Sequence, residues 1–102
     1  MYYIYVLRCE DNTLYTGIAT DWKRRFAEHC AQGKKCAKYT RSHKAVKVEA
    51  VWQTELKSVA LKAECFIKSL PKQRKEKILT SPNLLEDLQE SIVPVVINEV
   101  TR

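Results

Sequence analysis

The strongest constraint in this chain is a pair of alternating stretches at its start. Residues 2–9 read YYIYVLRC, residues 13–18 read TLYTGI, and the EDNT between them is turn chemistry. Side chains alternate across a strand, so Tyr3, Tyr5, Leu7 and Cys9 share one face of the first stretch, while Thr13, Tyr15 and Gly17 share one of the second. A connection of odd length puts these two sets on the same side. A three-residue loop of Glu10, Asp11 and Asn12, with Asn12 taking the left-handed conformation, pairs Leu7 with Tyr15 and Tyr5 with Gly17. Tyr5 and Tyr15 then become diagonal neighbours.

The elements that follow predict a mixed order. Thr20 or Asp21 caps a helix in which Trp22, Phe26 and Cys30 recur at i, i+4 and form a core stripe. Gln32 to Lys44 reads as a loop, and VKVEAVWQT at 46–54 alternates again as a third strand. Ser58 can cap a helix with an apolar stripe of Val59, Ala63, Phe66, Ile67 and Leu70, and Pro71 suits the first turn of the next helix, PKQRKEKIL. Leu84, Leu85 and Leu88 point to a last amphipathic helix. IVPVVI at 92–97 is an apolar tail whose proline argues against a central strand. The expectation is a small α+β domain over 1–81, with a three-stranded antiparallel sheet flanked by helices in the order β-β-α-β-α-α. An 82–102 extension then packs on the domain or on a second copy, giving a monomer or a weak homodimer.

Charge divides along the same boundary. Residues 1–81 hold 17 Lys or Arg against 8 Asp or Glu, whereas residues 82–102 hold one Arg against four acids. Between His29 and Val48 stand six basic residues and no acid, with Tyr39 among them in KKCAKYTRSHK. Such a stretch favours a polyanion, since neutralised phosphates release counterions. Nucleic acid is the expected partner. The plainer alternative is a cationic loop kept for solubility.

Cysteine spacing gives no compact framework. Cys9, Cys30, Cys36 and Cys65 lie 21, 6 and 29 residues apart, which fits neither a Cys-x-x-Cys zinc pair nor a dense disulfide pattern. Reduced thiols in a cytoplasm fit. A zinc site from Cys36, His29 and His43 is the metal alternative, against scattered cysteines serving as small core residues. With no run of about 20 apolar residues and no basic leader before an apolar stretch, neither secretion nor membrane spanning is expected.

Candidate site residues then stand out by position. Arg25 and His29 are one helical turn apart beside the Trp22 stripe, so both can reach over the edge of the hairpin. Glu64 borders the apolar stripe of its own helix, where a half-buried carboxylate is costly unless a cation meets it. Taken singly, each has an ordinary explanation. Strand tyrosines fill cores, a helix arginine is solvated, a border glutamate pairs with a lysine such as Lys68, and an isolated histidine is structural.

Taken together, the residues resemble the GIY-YIG nuclease family. Tyr3-Ile4-Tyr5 stands where that family has Gly-Ile-Tyr, and Tyr15-Thr16-Gly17 where it has Tyr-Ile-Gly. Arg25 follows the second tyrosine by ten residues, His29 comes four later, and Glu64 in ALKAECFIKSL matches the family's metal-binding glutamate. The resemblance covers about residues 1 to 80 and is closest to the small stand-alone bacterial branch, the UPF0213-like proteins, which share YTG, KYTR and the E..IK.L helix. Tyr3 and Thr16 depart from the family words in the manner of that branch. Ile18 stands where repair members carry a lysine.

The resemblance implies a metal-dependent endonuclease that hydrolyses phosphodiester bonds, with DNA as the expected substrate and repair or recombination as the setting. Glu64 would hold one divalent ion, Mg²⁺ or Mn²⁺, and Arg25 would clamp the phosphate. Tyr5 would deprotonate or orient the water, with Tyr15 in the same network, His29 sharing the task, and nearby positive charge lowering a phenol whose ordinary pKa is about 10. Gly17 would let the strand and the sugar-phosphate backbone approach. Lys38, Tyr39, Arg41 and Lys44 would hold nucleic acid by phosphate contacts and base stacking. Two other classes remain open: a catalytically weak nucleic-acid-binding module of the same fold, and an interaction protein using the apolar tail from Ile92 to Val100.

Overall fold

The computed structural model describes residues 1–33, 37–80 and 92–95. Its strands are β1 (Tyr2–Cys9), β2 (Leu14–Ala19), β3 (Ala45–Thr54) and β4 (Val93–Pro94), and its helices are α1 (Trp22–Ala31), α2 (Lys38–Ser42), α3 (Lys57–Ser69) and α4 (Lys72–Thr80). The strands form one antiparallel sheet in the order β2-β1-β3-β4. Among the described residues no helix is long and apolar enough to cross a membrane.

The hairpin follows from its turn. Asn12 adopts a φ of 68°, and the register pairs Leu7 with Tyr15 and Tyr5 with Gly17. Asp11 closes the turn by accepting from the Thr13 hydroxyl at 2.6 Å. Against β1, the longer β3 must absorb two extra residues. It does so with two irregularities, one between Val6 and Leu7 and one between Arg8 and Cys9, so Glu49 and Val46 have no Cα partner on β1. The first of these frees Glu49 to meet Arg8, whose guanidinium reaches Glu49 Oε2 at 2.6 Å and Glu76 Oε1 at 2.7 Å. That fork ties α4 to the sheet.

Alternation along β1 gives each face of the sheet its own core. Ile4 and Val6 pack with Ala50, Trp52, Ala60, Ala63, Ile67, Ile78 and Ile92 on the side covered by α3 and α4. Tyr5 and Leu7 pack with Trp22, Phe26, Ala45, Val48 and Val51 on the side covered by α1. Asp21, not Thr20, caps α1, its side chain accepting from the Arg24 amide at 3.2 Å.

Several expectations need correction. The sheet has four strands, because Val93 and Pro94 pair with Gln53 and Trp52. A proline lacks the amide donor of a central strand, and here it sits at an edge. Ile92 is fully buried, so this part of the tail packs on the domain, while the helix expected at 84–88 lies outside the described residues. The stretch read as a loop contains α2, which is held by tertiary contacts of Thr40 rather than by a side-chain cap. Ser58 does not cap α3. The cap position is Leu56, whose amide donates to Thr54 Oγ1 at 3.3 Å. The buried stripe of α3 is Ala60, Ala63 and Ile67, with Phe66 38% exposed. Two alanines at i and i+3 let the helix backbone approach the sheet, and this rotates Phe66 outward.

Candidate active site

Tyr5 is the centre of the site, and Gly17 makes its position possible. A Cβ at Gly17 would lie 2.6 Å from Tyr5 Cζ and closer still to the hydroxyl oxygen, so the phenol occupies the volume that a side chain would fill. The space expected for a sugar-phosphate backbone is therefore taken by Tyr5 itself. The Tyr5 and Tyr15 rings stand 6.3 Å apart, as diagonal neighbours on the hairpin should.

Helix α1 delivers His29 to the same point. Its Nε2 is 2.9 Å from the Tyr5 hydroxyl and its Nδ1 is 2.7 Å from Thr40 Oγ1. Thr40 donates its one hydroxyl proton to the Ala37 carbonyl at 3.1 Å, so it must accept from Nδ1–H. That assigns the tautomer: Nε2 is bare and accepts the Tyr5 hydroxyl proton. His29 reaches over the hairpin as its helix position allows, and it is fully buried there. Burial, and secondly the Arg25 charge, hold its pKa down at about 4, so the imidazole is neutral at pH 7.

Arg25, one turn earlier, hydrogen-bonds the Tyr5 phenol and pairs with Glu28 Oε1 at 2.9 Å. Its charge and hydrogen bond favour the phenolate, but burial, then Tyr15, push the Tyr5 pKa the other way and prevail. The lowering of Tyr5 by the Arg25 charge, which a phenol needs to act as a base, is present but outweighed. Tyr5 is a protonated donor to His29 in the free protein.

Glu64 reaches the group from the opposite face of the sheet. β2 is an edge strand, and α3 packs along it, so a side chain on α3 can come round that edge toward Tyr15. The Glu64 side chain is 20% exposed, and its Oε2 lies 3.4 Å from Lys68 Nζ. The same Nζ stands 5.8 Å from the centre of the Tyr15 ring. The Glu64 charge also acts on Tyr5, raising its pKa.

The basic segment is arranged differently from its expected use. Lys38, Arg41 and Lys44 are exposed, with Lys38 and Arg41 on α2. Tyr39 is not an open stacking platform. Its ring is stacked with Tyr15 at 5.7 Å and with His43 at 4.2 Å. His43 in turn is held by Asp11, whose pKa is lowered to about 2 by its hydrogen bonds from Thr13 and His43. The turn, α2 and the edge strand are thereby locked into one aromatic column. Thr40 and Glu28 were missed in the sequence. Glu28 was legible, since an acid at i+3 from Arg25 faces it on a helix; no local signal marks Thr40, which meets His29 only through the fold.

The donor set tests which metal the site fits. Cys36 of the zinc alternative lies outside the described residues, while His29 and His43 are committed to Tyr5, Thr40 and Asp11. Among the described residues no group of three or more His, Cys, Asp or Glu can hold a metal ion. A lone, partly exposed carboxylate such as Glu64 suits a hard cation that keeps most of its water, and does not suit a closed zinc cage.

The fold brings together a strand-borne tyrosine pair, a helix-borne arginine and histidine, and a glutamate across the sheet edge. Residues 1–77 match the model of the GIY-YIG catalytic domain, and the chain belongs to the GIY-YIG family. Its relatives within that family carry the UPF0213 designation. The chain is 44% identical over 89 residues to UPF0213 protein FN1575 of Fusobacterium nucleatum, covering 86% of this chain and 87% of that one. It is 38% identical over 99 residues to UPF0213 protein YhbQ of Salmonella typhimurium, covering 96% and 97%. The solution NMR structure of the UPF0213 protein BH0048 from Bacillus halodurans superimposes with a TM-score of 0.51 at 36% identity, covering 78% of this chain and 84% of that one.

Proposed function

We propose that this protein is a divalent-metal-dependent endonuclease that hydrolyses phosphodiester bonds, with DNA as the substrate. The observation that carries this reading is the junction of Tyr5, Tyr15, Arg25 and His29 through hydrogen bonds and ring contacts at the β2 edge, with Glu64 close enough to act on Tyr5. Phosphodiester hydrolysis needs a directed water, neutralisation of charge on the phosphoryl oxygens and help for the departing oxygen. Arg25 clamps the phosphate, its guanidinium held in orientation by Glu28. Tyr5 donates its proton to the bare Nε2 of His29 and accepts from Arg25, which leaves one lone pair of its oxygen to orient a water beside the clamped phosphate. Tyr15 packs against both Tyr5 and His29 and fixes the orientation of that pair. Glu64 would hold Mg²⁺ or Mn²⁺, which when bound supplies charge neutralisation at the leaving oxygen. Lys38, Arg41 and Lys44 draw the phosphate backbone toward the site.

One observation favours a second reading. Burial keeps Tyr5 protonated and His29 weakly basic, so the free protein has no strong base at the site. A nucleic-acid-binding module with feeble cleavage has that property. Plasmid DNA incubated with Mg²⁺ separates the two: the nuclease reading expects nicking that EDTA stops and that Glu64→Gln abolishes, with binding affinity changed by less than about twofold. Equal cleavage by wild type and Glu64→Gln refutes it. Single-stranded, duplex and branched substrates assayed side by side then define the preferred form.

A further inference from the structure

The Lys68 side chain stands between two groups of the site. Its Nζ lies 3.4 Å from Glu64 Oε2 and 5.8 Å from the Tyr15 ring centre, with half of the side chain, 51%, exposed against 20% for Glu64. We propose that Lys68 is a two-position residue, which holds the Glu64 carboxylate while no divalent cation is bound there and turns to a nucleic-acid phosphate beside Tyr15 when one is. This rests on the reading of Glu64 as the metal-holding residue.

Three physical points lead there. First, an exposed i,i+4 ion pair is weak and easily surrendered. Second, an ammonium left 3.4 Å from a carboxylate oxygen that also held a dication would face two like charges at close range, and the repulsion far exceeds what the pair contributes. Lys68 must therefore leave as the cation arrives. Third, the same Nζ already lies within reach of the Tyr15 ring at 5.8 Å, so a turn of the flexible four-carbon stem releases Glu64 while keeping the ring contact, without any shift of α3. On the Tyr15 side the ammonium stands at the ring that also contacts Tyr5 and His29, where the phosphate clamped by Arg25 would lie. Lys68 thus keeps Glu64 neutralised in the free protein and adds one phosphate contact only in the loaded complex.

Mn²⁺ binding to the free protein, followed by electron paramagnetic resonance, tests the first position. Lys68→Met keeps the stem and removes the charge; it should bind Mn²⁺ about two- to fivefold more tightly than wild type, the range expected from losing a weak competing pair. Lys68→Arg should behave as wild type, and Glu64→Gln should bind no Mn²⁺. The second position is read from the salt dependence of binding to a phosphorothioate duplex that resists cleavage. Lys68→Met should lower the slope by about one with Mn²⁺ present and leave it unchanged in EDTA. A purely structural ion pair moves neither quantity, and an ordinary phosphate contact lowers the slope in both conditions. Either result overturns the proposal, as does unchanged or weaker Mn²⁺ binding by Lys68→Met while Glu64→Gln binds none. If Glu64→Gln binds Mn²⁺ as wild type does, the metal assignment of Glu64 fails and Lys68 loses its role with it.

Discussion

Acidification from pH 7 to pH 4 should destabilise the fold through His29 before any carboxylate contributes. The unfolded chain takes up a proton on this imidazole near its ordinary 6.5, but the folded protein does so only near 4, because the ring is buried beside Arg25. Between those values the unfolded state binds more protons, so stability falls as pH falls. With one pKa unit equal to about 1.4 kcal/mol, the loss is about 2 kcal/mol between pH 7 and 5 and about 3 kcal/mol by pH 4. The other shifted acids act lower. Glu49 and Glu76, lowered from 4.5, and Asp11, lowered from 3.8, lose their contributions only as pH falls below those values. Urea unfolding at half-unit steps from pH 7 to 5, on wild type and on His29→Gln, isolates the effect. The variant keeps an amide able to hydrogen-bond Tyr5 or Thr40 and should lose most of the slope. A wild-type midpoint flat over this range, or equal slopes in the two proteins, refutes the assignment of a buried neutral imidazole.

Gly17→Ala should cost about 1–3 kcal/mol, because the new methyl collides with the Tyr5 ring, whereas Gly33→Ala, with open space around it, should lie within about 0.5 kcal/mol of wild type. In a Tyr5→Leu background the Gly17→Ala penalty should largely disappear, and denaturant unfolding of the four proteins measures the coupling. Arg8→Met should cost about 2 kcal/mol by leaving Glu49 and Glu76 facing each other without their shared cation, and the loss should shrink below pH 4 as both carboxylates protonate. Its nucleic-acid affinity should be unchanged, since Arg8 serves the α4 side of the sheet. Lys38→Ala and Arg41→Ala should each lower the salt slope of DNA binding by about one, and a flat salt response in wild type would remove the basic segment from the mechanism.

Local patterns settled where the tyrosine pair would sit. Period-two alternation, a three-residue loop and an asparagine able to take a positive φ were enough to align Tyr5 with Gly17 and Tyr15 with Leu7, since each of these is a property of neighbouring residues. A helix cap at Thr20 or Asp21, of which the fold uses Asp21, and the i, i+4 placement of Arg25 and His29 were legible for the same reason. Only the tertiary structure decided what surrounds them. Burial outweighs the Arg25 charge at Tyr5, Thr40 sets the tautomer of His29, His43 and Tyr15 both stack with Tyr39, and Lys68 comes round the β2 edge. Apart from the stacking of His43 on Tyr39, four positions away, each depends on contacts between residues 11 to 53 positions apart, and the free energy of a buried or charged group is set by whatever the rest of the chain brings to it.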